Sequence, residues 1–428
     1  MATTPALTHA AAGLAPGELT RLRRRSTWTL VGGVALGSTG HIAAVTVASI
    51  VAQQLGGTAI WGGVTGAAVV LGAAGGAVIL SALMIRRGRR VGLSTGYVIS
   101  VGGALVATAA VLASSLPLLL VGTFLIGFGN SSNQLSRYAA ADLYPDDRRA
   151  SAIGLVVWGA TVGAIVGPNL VAPAGMAAMA AGLPELAGPY LVPVVFTGAA
   201  ALLSWSLLRP DPYALADESA RPDPGQDHTV VVSLASVMRR PHVPVAIVAL
   251  ITSQVVMVLI MTMTPLHMTE HGHGLGEVGL VISGHTFGMF GLSPISGRLT
   301  DRFGSVPIIL IGLAVSAQAA LLAAVAPPEG GVGLFLALFL LGYGWNLGYV
   351  AGSALLTHGL TLSERTRLQG VTDALIWSSA AAASIGSGLI MAAAGFAALG
   401  LIGAAMILVP ISVLVVRRGQ LATSTRRT

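Results

Sequence analysis

Twelve stretches of this chain are long and apolar enough to cross a lipid bilayer, and no other feature limits the possible folds so strongly. A spanning helix needs about 20 predominantly apolar residues. The stretches cover residues 27–54, 59–85, 92–114, 117–141, 150–172, 189–208, 243–267, 275–299, 304–326, 332–360, 367–394 and 396–416. Charged residues make up only 9% of the chain, where a soluble domain carries roughly 25%. The expected class is therefore an all-α membrane protein of twelve helices. Its 56 glycines suit helix interfaces at which backbones approach closely. Cysteine is absent, which excludes disulfides, thiolate metal sites and cysteine nucleophiles.

The net charge of +7 comes from 23 basic residues, all of them arginine. Their positions decide what they mean. With the N-terminus placed in the cytoplasm, the arginines of the helix ends and loops fall on the cytoplasmic side, from Arg86, Arg87, Arg89 and Arg90 through Arg148 and Arg149 to Arg365 and Arg367. The outward loops contain none. This is the positive-inside pattern of a cytoplasmic-membrane protein with both termini inside. No basic domain remains for nucleic acid. The first stretch is long and lacks a cleavage site, so it reads as a retained helix rather than a signal peptide. The expected organisation is a tail over 1–26, a six-helix half over 27–209, a flexible cytoplasmic linker over 210–242, a second half over 243–418 and a tail over 419–428. Residues 230–238 are expected to form a short interfacial helix.

The two halves repeat. Ser81–Arg90 matches Gly297–Val306 at an offset of 216, with Arg86 over Arg302 and Gly88 over Gly304. Leu125-Ile-Gly-Phe-Gly-Asn matches Leu340-Leu-Gly-Tyr-Gly-Trp-Asn with one insertion. Paired six-helix halves are one of the known transporter architectures.

Gly297-x-x-x-Asp301-Arg302-x-Gly304 resembles the signature of the major facilitator superfamily, in the loop between helices two and three of a half. The resemblance covers the whole chain. It implies that Asp301 latches one face of the protein by meeting a helix N-terminus, which carries partial positive charge. By symmetry that would be the start of the fifth stretch, near Arg148 and Arg149. The first half departs from the signature, with Ile85 in the place of the aspartate. Gly163-x-x-x-Gly167-Pro168 is similar to an element of the family's drug/proton antiporters, but reads better as close helix packing with a proline bend.

Ionisable groups at membrane depth are functional candidates by default. Here they are His41, Arg137, His285, Asp373 and His358. The seventh stretch contains Met257 and Met261, the eighth His285 and Met289, each pair four residues apart and so on one helix face. Thioethers with imidazole and no carboxylate suit Cu(I) better than zinc, manganese or magnesium. These pairs resemble those of the CcoA-like copper importers, whose close relatives are associated with riboflavin uptake. The resemblance implies that Met257, Met261, His285 and Met289 bind copper. At the repeat offset His41 falls on Met257, which makes it a further ligand candidate. The outward loop brings His267, Met268, His271 and His273 to the entrance.

Asn130, Gln134 and Arg137 form one polar stripe, and Trp345, Asn346 and Tyr349 offer aromatic and amide groups that would suit a planar solute such as a flavin. Asp373 could relay a proton or pair with Arg137. The expectation is a secondary transporter, monomeric in the bilayer, that takes up copper by alternating access. The alternative cargo is an organic solute, by riboflavin uptake or drug/proton antiport. No permanently bound cofactor is expected, and no enzymatic residue constellation is present.

Overall fold

The computed structural model describes residues 15–57, 60–216, 234–264, 267–268, 271–273, 275–327 and 331–424. Among them the chain is all-helical. The first repeat forms α1 (Pro16–Gly56), α2 (Ile60–Arg87), α3 (Arg89–Leu112), α4 (Leu116–Ala141), α5 (Asp146–Asn169), a short α6 (Val171–Ala180) and α7 (Gly188–Leu207). A five-residue helix, α8 (Leu234–Met238), occupies the described end of the predicted interfacial segment. The second repeat forms α9 (His242–Met261), α10 (Leu275–Phe290), α11 (Ser293–Phe303), α12 (Ser305–Val325), α13 (Gly331–Thr357), α14 (Leu362–Met406) and α15 (Leu408–Ser424). Within α14 the backbone leaves helical geometry at Gly395, with φ 76° and ψ 178°, and this separates the last two predicted spans.

Ten helices among the described residues are long and apolar enough to span a membrane. The other two predicted stretches are helical but differ for identifiable reasons. The fourth is the unbroken α4, whose centre is the polar run Asn130–Gln134. The eighth is broken between α10 and α11, where Pro294 opens the new helix. Proline has no N–H to continue the previous ladder.

The chain divides into two compact units that do not coincide with the repeats. The first holds Met1–Pro145, Leu155–Pro222 and Thr361–Ser378, and the second holds Asp146–Gly154, Asp223–Leu360 and Ser379–Thr428. Each unit thus contains one helix start from the opposite repeat. In the first unit the most extensive helix pair is α3 on α4, and in the second it is the equivalent pair, α12 on α13. The repeat also survives in the backbone. Gly88, between α2 and α3, has φ 90° and ψ 168°, and Gly304, between α11 and α12, has φ 86° and ψ 157°. A side chain rarely tolerates this region, which explains glycine at both positions.

Small residues allow the close approaches. In the first unit a Cβ on Gly163 would collide with Ser38 and Thr39 of α1, and one on Gly167 would crowd Ile42. The glycine-proline element therefore packs α5 on α1.

The start of the 210–242 connection is packed, unlike the flexible linker that its composition suggests. Pro212, Ala214, Leu215 and Ala216 are buried. The Asp211 carboxylate accepts the backbone N–H of Arg89 at 3.1 Å and of Arg90 at 2.9 Å, capping α3. Tyr213 shares a short hydrogen bond with Thr366 at the start of α14, and Arg23 Nε donates to the Leu215 carbonyl. Burial pushes the Asp211 carboxyl above its ordinary value, with the N–H donors of Tyr213, Arg90 and Arg89 pulling it back. Burial also pushes the Tyr213 hydroxyl up to about 12.

Candidate functional site

In the second unit, α13 is a common neighbour of α9 and α10, and it serves as a ruler for their depths. Along α9, Leu250 meets Gly352, Ser253 meets Gly348, and Gln254 Oε1 accepts Trp345 Nε1–H at 2.8 Å. Numbers rise on one helix as they fall on the other, so α9 is antiparallel to α13. One turn further, Met257 is level with residues 341–342. On α10, Gly284 meets Phe335, Gly288 meets Phe339 and Tyr343, and Gly342 meets the His285 carbonyl. These run in parallel, and they put His285 level with residues 338–342.

Met257 and His285 therefore share one depth. Met261 and Met289 do not. Because the two helices run in opposite directions, Met261 lies one turn to one side of that level and Met289 one turn to the other. By the ~1.5 Å rise per residue, the two outer methionines are separated by roughly 9–12 Å along the membrane normal. The two pairs therefore do not lie side by side as pairs. Ordered by level along the normal, the four residues make a ladder with Met257 and His285 on its middle rung. α9 and α10 make no extended contact with each other among the described residues.

His285 is fully buried. Its Nδ1 lies 2.8 Å from the Leu338 carbonyl oxygen, which can only accept, so Nδ1 carries the hydrogen. In the neutral ring Nε2 is then a lone-pair acceptor, and it is buried with no hydrogen-bond partner. Met257 is also buried, while Met261 and Met289 are half-buried. His41 belongs to the first unit, on α1, and its Nδ1 is likewise buried without a partner.

Next to this ladder lies an aromatic cluster. Trp345 stacks on Tyr349 with ring centroids 4.4 Å apart, and Phe290 meets Trp345 edge-on at 5.9 Å. Asn346, by contrast, is used up structurally. Its Nδ2 donates to the Met289 carbonyl and to Ser293 Oγ, both at 2.6 Å, and its Oδ1 accepts Ser296 Oγ–H. It ties the α10–α11 break to α13.

In the loop expected to form the entrance, Met268 is buried, and His267 stacks face-on against Phe396 with centroids 4.2 Å apart. His271 Nδ1 bonds the His267 carbonyl, and His273 pairs with Glu277 at 2.8 Å. Among the described residues no group of three or more His, Asp and Glu is placed to hold a metal ion.

The Asp301 carboxylate accepts the N–H of Ala150 at 3.0 Å and of Ser151 at 2.9 Å, at the start of α5. Gly297 permits this approach, since a Cβ there would fall 2.6 Å from the Ala150 carbonyl. Arg302 is exposed, as is Arg86 in the first repeat. Burial pushes the Asp301 carboxyl above its ordinary value, and the N–H bonds from Ser151 and Ala150 offset this only in part. The folded state therefore binds this proton more readily than the unfolded chain. Stability contributed in this way is lost as the pH rises through the raised value. Beside the contact is a cavity of ≈ 630 Å³ lined by Asp146, Arg149, His242, Asp301 and His358 at its polar end and by Leu310 and Leu414 on its apolar wall. Replacing Asp301 with alanine removes both acceptors, a loss of about 1–2 kcal/mol by analogy with helix caps. Amide exchange at Ala150 and Ser151 is expected to accelerate roughly tenfold, and unchanged exchange would refute the contact.

The first unit contains a row of buried charge, of which the sequence offered only the pairing of Arg137 with Asp373. Arg89 donates from Nε and Nη2 to one Asp142 oxygen, at 2.9 and 2.7 Å, and from Nη2 to Gln369 Oε1 at 2.9 Å. Arg365 lies 3.9 Å from the other Asp142 oxygen. Further along the same helices, Arg137 pairs with Asp373 at 2.7 Å. Gln134 supports Arg137, and Asn130, one turn away, is half-buried. The available signal was Asp142, an acid just past an apolar stretch that ends among arginines.

Comparison with known proteins bears on all of this. The model of the family described as Major Facilitator Superfamily matches residues 27–276 and 246–427. The uncharacterized MFS-type transporter YdeG of Bacillus subtilis (strain 168) is 37% identical over 407 residues, 95% of this chain and 94% of that one. The riboflavin transporter RfnT of Brucella anthropi is 32% identical over 318 residues, 72% of this chain and 74% of that one. Among solved structures, a variant of the E. coli fucose:proton symporter FucP superposes with a TM-score of 0.73 at 19% identity, covering 91% of this chain and 98% of that one, a likeness of fold alone.

Proposed function

Since the chain belongs to the Major Facilitator Superfamily, and is thus a multi-pass membrane transporter and not an enzyme, we propose that its cargo is copper, carried as Cu(I). The observation that carries this reading is the His285 ring. Metal-bound imidazoles usually donate their other N–H to a carbonyl or carboxylate, which fixes the tautomer. His285 is held in that way by Leu338, with its remaining nitrogen buried and uncommitted. The donor at the same level on α9 is the Met257 thioether, and Met261 and Met289 lie one turn to either side. Thioethers carry no proton and bind less tightly than thiolates, so they suit a cargo that must be released. The staggered methionines allow transfer along the ladder, from Met261 through Met257 and His285 to Met289. In this reading copper passes inward across the cytoplasmic membrane, His267–His273 lie at the outer entrance, and Asp301 latches the cytoplasmic face.

A second reading is favoured by the aromatic cluster of Phe290, Trp345 and Tyr349 with the Gln254 amide, and by the likeness to a riboflavin transporter. There the cargo is a planar flavin-like solute. The two separate in one experiment, by measuring copper and riboflavin accumulation in cells that express the wild type or a variant. Copper accumulation is expected to fall about tenfold or more in Met257→Ala and His285→Ala. It should also fall in the wild type as the outside pH drops below about 6, because protons compete for the imidazole. Equal copper accumulation in all three would sink the copper reading. Riboflavin accumulation that is lost in Trp345→Ala and kept in Met261→Ala would establish the second.

A further inference from the structure

We propose that Tyr213 is a gating residue of the transport cycle, whose hydroxyl latches the start of α14 at Thr366 where the first repeat lacks its signature acid. The internal repeat carries the inference. At the offset of 216, Ile85 stands over Asp301, Gly88 over Gly304 and Ala150 over Thr366. In the second unit Asp301 accepts the N–H groups of Ala150 and Ser151, and so holds a helix start that comes from the first repeat. The matching contact in the first unit would run from position 85 to Thr366. Ile85 has no polar group and cannot make it. Tyr213, from the connection after α7, bonds the Thr366 hydroxyl instead. The bond reaches the side chain of Thr366 rather than its backbone. The position that a carboxylate holds in one unit is thus held in the other by a phenol from outside the repeat.

The connection is built into the loop that lost the acid. Asp211 accepts the N–H of Arg89 at 3.1 Å, of Arg90 at 2.9 Å and of Tyr213 at 2.9 Å. This carboxylate fills the space beside Gly88, where a Cβ would fall 2.5 Å from its Oδ2. At Gly304 a Cβ would meet only Pro307, at 3.9 Å, so no counterpart of Asp211 stands at the second loop. The Arg89 guanidinium lies over the Tyr213 ring, 5.4 Å from its centroid. Asp211 and Arg89 together aim the phenol at α14.

The latch lies one turn from the place where α14 meets α2. A Cβ on Gly370 would collide with Ser81 Oγ and crowd the Ala77 carbonyl. Arg89, which positions Tyr213, also donates to Gln369 of α14 at 2.9 Å. The start of α14 has to leave this surface for its end of the molecule to open. The inference rests on alternating access and on no particular cargo.

The test uses the full-length chain in membranes and exploits its lack of cysteine. Ser81 is buried beneath Gly370. A single Ser81→Cys is alkylated by N-ethylmaleimide when the start of α14 moves away, so the rate follows the open population. Tyr213→Phe deletes the hydroxyl and keeps the ring. It and Thr366→Val are each expected to raise that rate about three- to tenfold. Combining them should raise it no further, because both remove one bond. A Ser100→Cys reporter, buried where α3 meets α4, should react equally slowly in every background. Adding Ile85→Asp to Tyr213→Phe restores the missing acid and should slow Ser81→Cys again. An unchanged Ser81→Cys rate in Tyr213→Phe overturns the proposal. An equal rise at Ser100→Cys also overturns it, since that would mean general loosening. Effects that multiply in the double variant, or no slowing with Ile85→Asp, count against it. If Ser81→Cys does not fold, Thr372→Cys, buried on α14, takes its place. The readout needs neither copper nor riboflavin, so its failure and the failure of either cargo reading are separate results.

Discussion

Asp142→Ala is expected to leave little folded protein in the membrane. The substitution removes the one carboxylate shared by Arg89 and Arg365, both 0–1% exposed, and takes its compensating charge from two guanidinium groups in a low-dielectric interior. Breaking a buried pair by deleting one partner typically costs about 3–5 kcal/mol, a large share of the roughly 5–15 kcal/mol that holds a domain folded. Arg89→Ala should be milder, because Asp142 then keeps Arg365 for its charge. Asp142→Asn should be intermediate, as the amide oxygen still accepts. Thermal unfolding in detergent, read as monodisperse protein after heating, would rank the three. Arg89→Ala proving as damaging as Asp142→Ala would show that the cluster works as separate pairs rather than around one shared acid.

Gly297→Leu is expected to abolish transport of any cargo even where the protein is produced. A Cβ at this position would be 2.6 Å from the Ala150 carbonyl oxygen and 2.8 Å from Ser151 Cα, both of them backbone, which cannot rotate away. The reciprocal contact is as tight, since a Cβ on Gly154 would run into the Ser293 carbonyl. α11 would have to retreat from the start of α5, and Asp301 would lose both N–H donors. Inserting bulk into such a contact costs about 1–3 kcal/mol or more. Gly304→Leu offers a contrast. Space there is open, and the penalty comes from φ 86°, so it should lower stability and leave the Asp301 contact in place. Amide exchange at Ala150 and Ser151 distinguishes the two. Slow exchange in Gly297→Leu would contradict the steric account.

Much of the frame was legible because membrane solvation is an unforgiving constraint. The apolar stretches and the repeat at offset 216 each follow from one-dimensional patterns. Even the backbone equivalence of Gly88 and Gly304 followed from the aligned glycines. Of the buried charge row, only the pairing of Arg137 with Asp373 was legible. Arg89 and Arg365 lie at helix ends, where arginine ordinarily marks the membrane boundary, and nothing local separates a buried guanidinium from a solvated one. The relative levels of the outer methionines were not legible for a related reason. The spacing of Met257 and Met261, and of His285 and Met289, gives a face on each helix. The relative levels depend on chain direction against α13, which only packing supplies. The start of the central connection misled through composition, because Pro210-Asp-Pro reads as solvated chain while Asp211 caps α3.

That segment has a practical bearing on how the chain can be divided. A two-repeat chain can be divided by a cut in the connection between its repeats. Here a cut at Arg209 would strip the first fragment of Asp211, Tyr213 and Leu215, and with them the cap on α3, the hold on Thr366 and the acceptor for Arg23. A cut beyond Ala216 keeps all three on the fragment that needs them. The boundary between the genetic halves and the boundary between the units that fold together are thus different places in the chain.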